Sequence, residues 1–263
     1  MERYWLIAAT LCFLFSFAYT LYAVATGKFR SARINLLAMA AGFAAQTTFL
    51  YMRGQQDRSC PINTLFEVII FLSWSIVLIY LLIGPAYHLS LMGAFTAPLV
   101  FFLNVIALVS PLNQNPHPKV LLNPWLEMHV ALSLMAYGGF GLACIAGVMY
   151  LVQERQLKSG RPDTIFYHLP PISDLNVANG RLLRIGFVLL TLGLAAGFFL
   201  KLPVANAKFA VSLGIWAIYG IILLLRKTHS LAPRRMAALS IIVFILALVT
   251  LPAIQMLSVA VKR

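Results

Sequence analysis

The sequence predicts an all-α membrane protein, a polytopic bundle of eight transmembrane helices, and three observations predict it. Of the 263 residues, 61% are hydrophobic and only 10% charged, with a mean hydropathy of +0.88, a balance that a soluble domain with a solvated surface does not reach. The apolar residues gather in eight runs, at about 5–26, 34–52, 64–83, 89–109, 129–152, 185–200, 209–225 and 236–258. Runs of this kind match a hydrocarbon core of roughly 30 Å at about 1.5 Å per helical residue. Little chain is left between them. The longest connection, Gln153 to Leu183, holds 31 residues, short of the roughly 50 that an independent soluble domain needs. Residues 1–263 therefore read as a single transmembrane domain whose chemistry lies in helices and short loops.

A formal charge of +13 would point to nucleic acid in a soluble protein, but here the basic residues are scattered through connections between apolar runs. That distribution excludes nucleic acid as a partner and makes the lipid bilayer the principal one. The connections after runs one, three, five and seven carry 12 Lys and Arg, those on the opposite side 8. The excess places the first set in the cytoplasm and both termini outside it, as in a multi-pass protein of a bacterial cytoplasmic membrane.

The elements follow in order. Run one ends in Ala23-Val24-Ala25, which imitates a cleavage site, but it is longer than the 7 to 15 apolar residues usual for a signal peptide, so it reads as a retained helix. Run two has Gln46 as its strongly polar residue among small ones such as Ala41, Gly42 and Ala45, and it reads as scaffold. Before run three comes CPINTLFE, residues 60–67, where Asn63 or Thr64 can cap a helix start and Glu67 follows one turn in. Glu67 is either an interfacial cap carboxylate favoured by the helix dipole or a site residue turned to the bundle. Phe71 and Trp74 share its face and would form an aromatic wall below it.

Run four ends at Ser110, and the next stretch, PLNQNPHPKVLLNP, has four prolines that forbid regular helix. His117, between Pro116 and Pro118, is an exposed loop imidazole and a possible ligand. Run five organises the rest. From Val130 to Val152 it has no charged residue, and His129 stands at its mouth. Ser133, Ala136, Tyr137, Phe140 and Cys144 lie on the same helical face as His129 and look inward. Gly139, Ala143 and Gly147 recur every fourth position a quarter-turn away and invite close approach of another helix. Glu127, two positions before His129, points elsewhere, and Trp125 is an interfacial anchor. By the charge count Glu67, His117 and His129 fall at the outer face, whereas His88, His168 and His229 read as loop residues on the other side. Cys12, Cys60 and Cys144 share no CxxC pair, which indicates neither zinc nor thiol exchange. No inverted repeat, and no Gly or Pro interruption at matching places, marks a secondary transporter.

Two segments resemble the cytochrome c assembly membrane proteins that handle haem, in particular their HemX-like branch. They are Cys60–Tyr80, CPINTLFEVIIFLSWSIVLIY, with an acidic residue early in the span, and Trp125–Lys158, WLEMHVALSLMAYGGFGLACIAGVMYLVQERQLK, with its HV, Y, YL and LK positions. Gly186–Gly197, GFVLLTLGLAAG, is similar more weakly. The chain departs from haem-delivering members in three places. Their tryptophan-rich loop ending in Asp is replaced by LKLPVANAKF at 200–209, Leu224 stands where they have a histidine, and a further outer histidine near the last span is missing. The resemblance implies haem as cofactor, with His129 as its axial metal ligand, Glu67, Trp74 and His117 lining the site, and Arg53, Arg58, Lys119, Lys201 or Lys208 available to the propionates. It also implies other cytochrome c or haem biogenesis proteins as partners. The expected function is a haem-handling accessory protein of cytochrome c maturation or haem supply with no catalysis of its own. A ligand-free membrane scaffold and a small-solute transporter are the alternatives.

Overall fold

The computed structural model describes residues 2–26, 32–57, 60–62, 64–83, 92–109, 124–159, 170–199, 207–228 and 231–260. These form eight helices: α1 Glu2–Thr26, α2 Ala32–Asp57, α3 Leu65–Ile83, α4 Met92–Val109, α5 Pro124–Ser159, α6 Ile172–Phe199, α7 Ala207–Lys227 and α8 Pro233–Ala260. No strand occurs among the described residues. Seven helices are long and apolar enough to cross a membrane, and α4 supplies a shorter apolar stretch, Phe95–Val109. The protein is a polytopic helical membrane bundle.

α5 and α6 overrun their apolar runs into the connection between them. α5 continues to Ser159 and α6 begins at Ile172, where the sequence left a long connection. Beyond the apolar core the backbone of α5 is still satisfied within the helix, and Lys158 pairs with Glu154 one turn back at 2.7 Å. The first turns of α6 are polar on one side only. Leu175, Ala178, Leu182 and Leu183 are buried at helical spacing, so the segment packs although its average hydropathy is low.

α5 is the axis of the bundle. Gly139 meets the backbone of Gly186 on α6, where an added Cβ would lie 3.2 Å from Gly186 Cα, and Gly147 meets Ala237 and Ser240 on α8. Gly138 fits against the backbone of Ser75 and Ile76 on α3. The small-residue stripe therefore serves two neighbours, α6 and α8, and Gly138 a third. Of the inward stripe, Ser133, Ala136, Tyr137 and Phe140 are buried and Cys144 is half-buried. Tyr219 of α7 stacks on Phe140 at 3.7 Å between ring centroids.

The structure shows an internal repeat of a kind that the sequence did not reveal, and it is not the inverted repeat of a secondary transporter. Within α1–α4 the packed pairs are α1·α2, α2·α3, α3·α4, α1·α4 and α2·α4, and within α5–α8 they are α5·α6, α6·α7, α7·α8, α5·α8 and α6·α8. The same contacts recur at matching positions. The Phe13 ring covers Gly42 and the Phe140 ring covers Gly186, each 2.5 Å from where a Cβ would sit. Asn35 bonds Ser16 of the preceding helix, as Asn179 donates to the Ala143 carbonyl at 2.7 Å. Trp74 Nε1 donates to Thr47 at 2.8 Å while stacking on Phe43 at 5.4 Å and 21°. Trp216 Nε1 donates to Thr191 at 2.9 Å while stacking on Phe187 at 5.4 Å and 20°. Gly42, Phe43, Thr47 and Asn35 are thus matched by Gly186, Phe187, Thr191 and Asn179 at one constant offset. Each unit has four helices, an even number, so the repeat is parallel and not inverted. The two units meet chiefly where α3 packs on α5.

Candidate functional site

His129 sits in the second turn of α5 and is 8% exposed. Its Nδ1 lies 2.6 Å from the carbonyl oxygen of Gly193 on α6. A carbonyl only accepts, so Nδ1 donates, and whenever the ring is neutral its lone pair resides on Nε2. Ser133 Oγ donates to the His129 carbonyl at 2.7 Å. The contact is close because position 193 has no side chain: a Cβ there would lie 2.9 Å from Ser133 Oγ and 3.3 Å from the His129 carbonyl oxygen. One turn outward, Trp125 stacks on Phe199 at 4.9 Å and 27°, so an aromatic pair stands between the imidazole and the end of the α5–α6 seam.

Glu67 lies at the start of α3 and is 1% exposed. Thr64 is the N-cap. The Glu67 amide donates to Thr64 Oγ1 at 3.2 Å and the Thr64 amide donates to Glu67 Oε2 at 3.2 Å, a reciprocal capping box. The other carboxylate oxygen accepts from Arg53 Nε at 3.0 Å, and Arg53 Nη1 reaches Glu2 at 3.1 Å. The cap and the charged contact coexist in one side chain. Asn63, the alternative cap, lies outside the described residues.

Cys60 lies between α2 and α3, beside this mouth. Burial pushes its thiol up to about 11, and the carboxylates of Glu127 and Glu67 add to the rise. Glu127, two residues before His129, and Glu67 thus both act electrostatically on this thiol. Trp74 is turned to α2, in the Thr47 and Phe43 clasp, with Phe71 5.4 Å from it. The expected Phe71 and Trp74 contact forms, but as part of the α2–α3 seam. His117 lies outside the described residues, as do Arg58, Lys119 and Lys201, and the side chain of Lys208. The three cysteines are free thiols, and among the described residues no three His, Cys, Asp or Glu gather as a metal cluster.

A haem iron needs an axial base, an apolar wall and cations for its propionates. The residues present fit the first two. An imidazole held by a backbone carbonyl through Nδ1 is the usual orientation of a histidine ligand that binds through Nε2, and the Trp125 and Phe199 rings supply apolar surface beside it. Arg53 brings a cation to the neighbouring mouth, already bridging Glu2 and Glu67. Gly193 and Phe199 were not legible as site residues. A carbonyl acceptor leaves no side-chain signal, and Phe199 is an ordinary apolar residue until the fold sets it against Trp125.

The profile of the cytochrome C assembly protein family matches residues 62–258. The chain is 29% identical over 175 residues to the Protein HemX of Brevibacillus brevis, covering 64% of this chain and 62% of that protein. It is 25% identical over 155 residues to the cytochrome c biogenesis protein CcsA of Chlamydomonas reinhardtii, covering 56% and 43%. To the CcsA of Phalaenopsis aphrodite subsp. formosana it is 31% identical over 126 residues, covering 46% and 39%. The chain thus spans less than two thirds of the length of these relatives.

Proposed function

Because this chain belongs to the cytochrome c assembly protein family, in its HemX-like branch, we propose that it is a haem-handling accessory protein of cytochrome c maturation or haem supply, with a haem site centred on His129 at the outer face of the membrane. The observation that carries the proposal is the buried imidazole fixed through Nδ1 on the Gly193 carbonyl at 2.6 Å. Bound haem would supply the iron porphyrin that the pathway handles. The chain's own residues hold and orient it. His129 offers Nε2 as the axial base, Gly193 fixes the ring, and Trp125 with Phe199 restricts water at the seam. Glu67 acts beside the site by holding Arg53, and Trp74 by locking α3 to α2. Other biogenesis proteins are the partners that would deliver or accept the cofactor, and the chain's role is binding and presentation, with no bond made or broken by it.

The test is the absorption spectrum of the purified protein after loading with haem under reducing and oxidising conditions. A Soret band in the wild type that is lost or shifted in His129→Ala, and partly restored by imidazole, supports the assignment. The helix tolerates the change, since alanine is its best former. A wild type without a Soret band, or a His129→Ala variant with an unchanged one, sinks the ligand assignment and leaves His129 as a hydrogen-bonded strut between α5 and α6.

A further inference from the structure

At the opposite end of the bundle, α6 and α7 bring two guanidinium groups to one turn. Arg226, at the end of α7, lies over Gly180 of α6 so closely that an added Cβ would collide with its guanidinium. Its Nη2 donates to the Asn176 carbonyl at 3.1 Å, and its Nη1 approaches the Met236 thioether at 3.1 Å. Arg184 donates from Nε to the Gly180 carbonyl at 3.2 Å. Both cations therefore converge on the Gly180 turn. Among the described residues, the carboxylates in ion pairs are Glu2 and Glu67 with Arg53, and Glu154 with Lys158 and Arg234, so none of the described carboxylates pairs with either arginine.

Its depth matters. α6 runs from this end into the bilayer, and Arg184 lies one turn further in than Gly180, about 5.4 Å. It is exposed and reaches back toward the membrane surface, as a lipid-facing arginine does. Below it the same flank is apolar and exposed, with Val188 and Leu192 on α6 and Ile221 and Leu224 on α7. A cation pair at the head of an exposed apolar strip suits an amphiphile. Arginine forks match phosphate oxygens, and a soluble anion would leave the strip below unused.

We propose that the Gly180 turn, where α6 meets α7, binds the phosphate of an anionic phospholipid between Arg184 and Arg226, with an acyl chain along Val188, Leu192 and Ile221. The protein in neutral detergent is titrated with phosphatidylglycerol, with phosphatidylcholine and with inorganic phosphate, and bound lipid is counted by native mass spectrometry alongside the thermal unfolding midpoint. Phosphatidylglycerol binds and raises the midpoint, phosphatidylcholine does not, and inorganic phosphate at the same concentration does not displace the lipid. Arg184→Gln, at an exposed position, weakens phosphatidylglycerol about fivefold, the value of one cation near a membrane surface. Gly180→Ala, which keeps both charges but evicts the Arg226 guanidinium, weakens it too. Should Gly180→Ala not fold, Arg184→Gln decides alone. Equal binding of the two lipids, unchanged affinity in Arg184→Gln, displacement by inorganic phosphate, or an equal loss in Lys158→Gln elsewhere on this end would overturn the proposal.

Discussion

Removing Arg53 should cost the protein more than removing the charge of Glu67, because the two leave different orphans behind. In Glu67→Gln the side chain still accepts a hydrogen bond in the capping box, and Arg53 keeps Glu2 at 3.1 Å. The loss is one hydrogen bond to a charged group, about 1.5–3 kcal/mol. Glu67→Ala also abolishes the cap, adding about 1 kcal/mol. Arg53→Met leaves a carboxylate that is 1% exposed without its guanidinium, and stranding a buried charge costs about 3–5 kcal/mol. The pair is coupled, so Arg53→Met with Glu67→Gln should be less destabilised than the two single changes added together. The assay is unfolding of the purified protein in mixed micelles by increasing sodium dodecyl sulfate, followed by far-UV circular dichroism. An Arg53→Met variant no less stable than Glu67→Gln, or a strictly additive double variant, refutes the idea that this ion pair holds the mouths of α2 and α3 together.

Three further outcomes are expected. Gly193→Ala places a Cβ 2.9 Å from Ser133 Oγ and 3.2 Å from the Ser133 amide; backbone cannot swing aside, so the variant should lose about 1–3 kcal/mol in the same titration and should weaken any haem band, and a wild-type spectrum would refute this. Cys60, with its thiol pushed up to about 11, should react with iodoacetamide at pH 8 about a hundredfold more slowly than a thiol of pKa near 9, because only the thiolate attacks; the rate should climb with pH through 11 and rise in Glu67→Gln, and a plateau below pH 9 would refute it. Reporters fused after Ser159 and Gln114 should be active only in the cytoplasm and only outside it, respectively, and the reverse pattern would move His129 to the cytoplasmic face.

The helices were legible where composition alone sets them. α3 and the core of α5 have few charged residues and needed only a count of length. The Thr64 and Glu67 box was legible because capping is local. The start of α6 was not, since Asp174, Asn176, Arg181 and Arg184 lower its hydropathy while Leu175, Leu182 and Leu183 still bury one face. Of the site, His129 was legible as an ionisable residue at a span mouth, but its Gly193 partner was not, because the acceptor is backbone and lies on another helix. The repeat escaped because it resides in a few contacts, a ring on a glycine and a Trp, Phe and Thr clasp, while most residues between them differ.

Having two copies of one architecture in a single chain gives every position a twin, and the twins sort requirement from specialisation. Gly42 and Gly186, Asn35 and Asn179, and the two tryptophan clasps are the same in both, so they are what any such unit needs to assemble. By the register that pairs Phe13 with Phe140, the twin of His129 is Glu2, which binds Arg53 at 3.1 Å where His129 binds a carbonyl. By the register of Gly42 and Gly186, Gln46, bonded to the Ile70 carbonyl and to Asn104 at 3.1 and 3.3 Å, has Leu190 as its counterpart. One copy uses this position for an ion pair, the other for an imidazole. The molecule therefore carries its own internal control: a substitution harmful at both twins reports on scaffold, and one harmful only at His129 reports on chemistry.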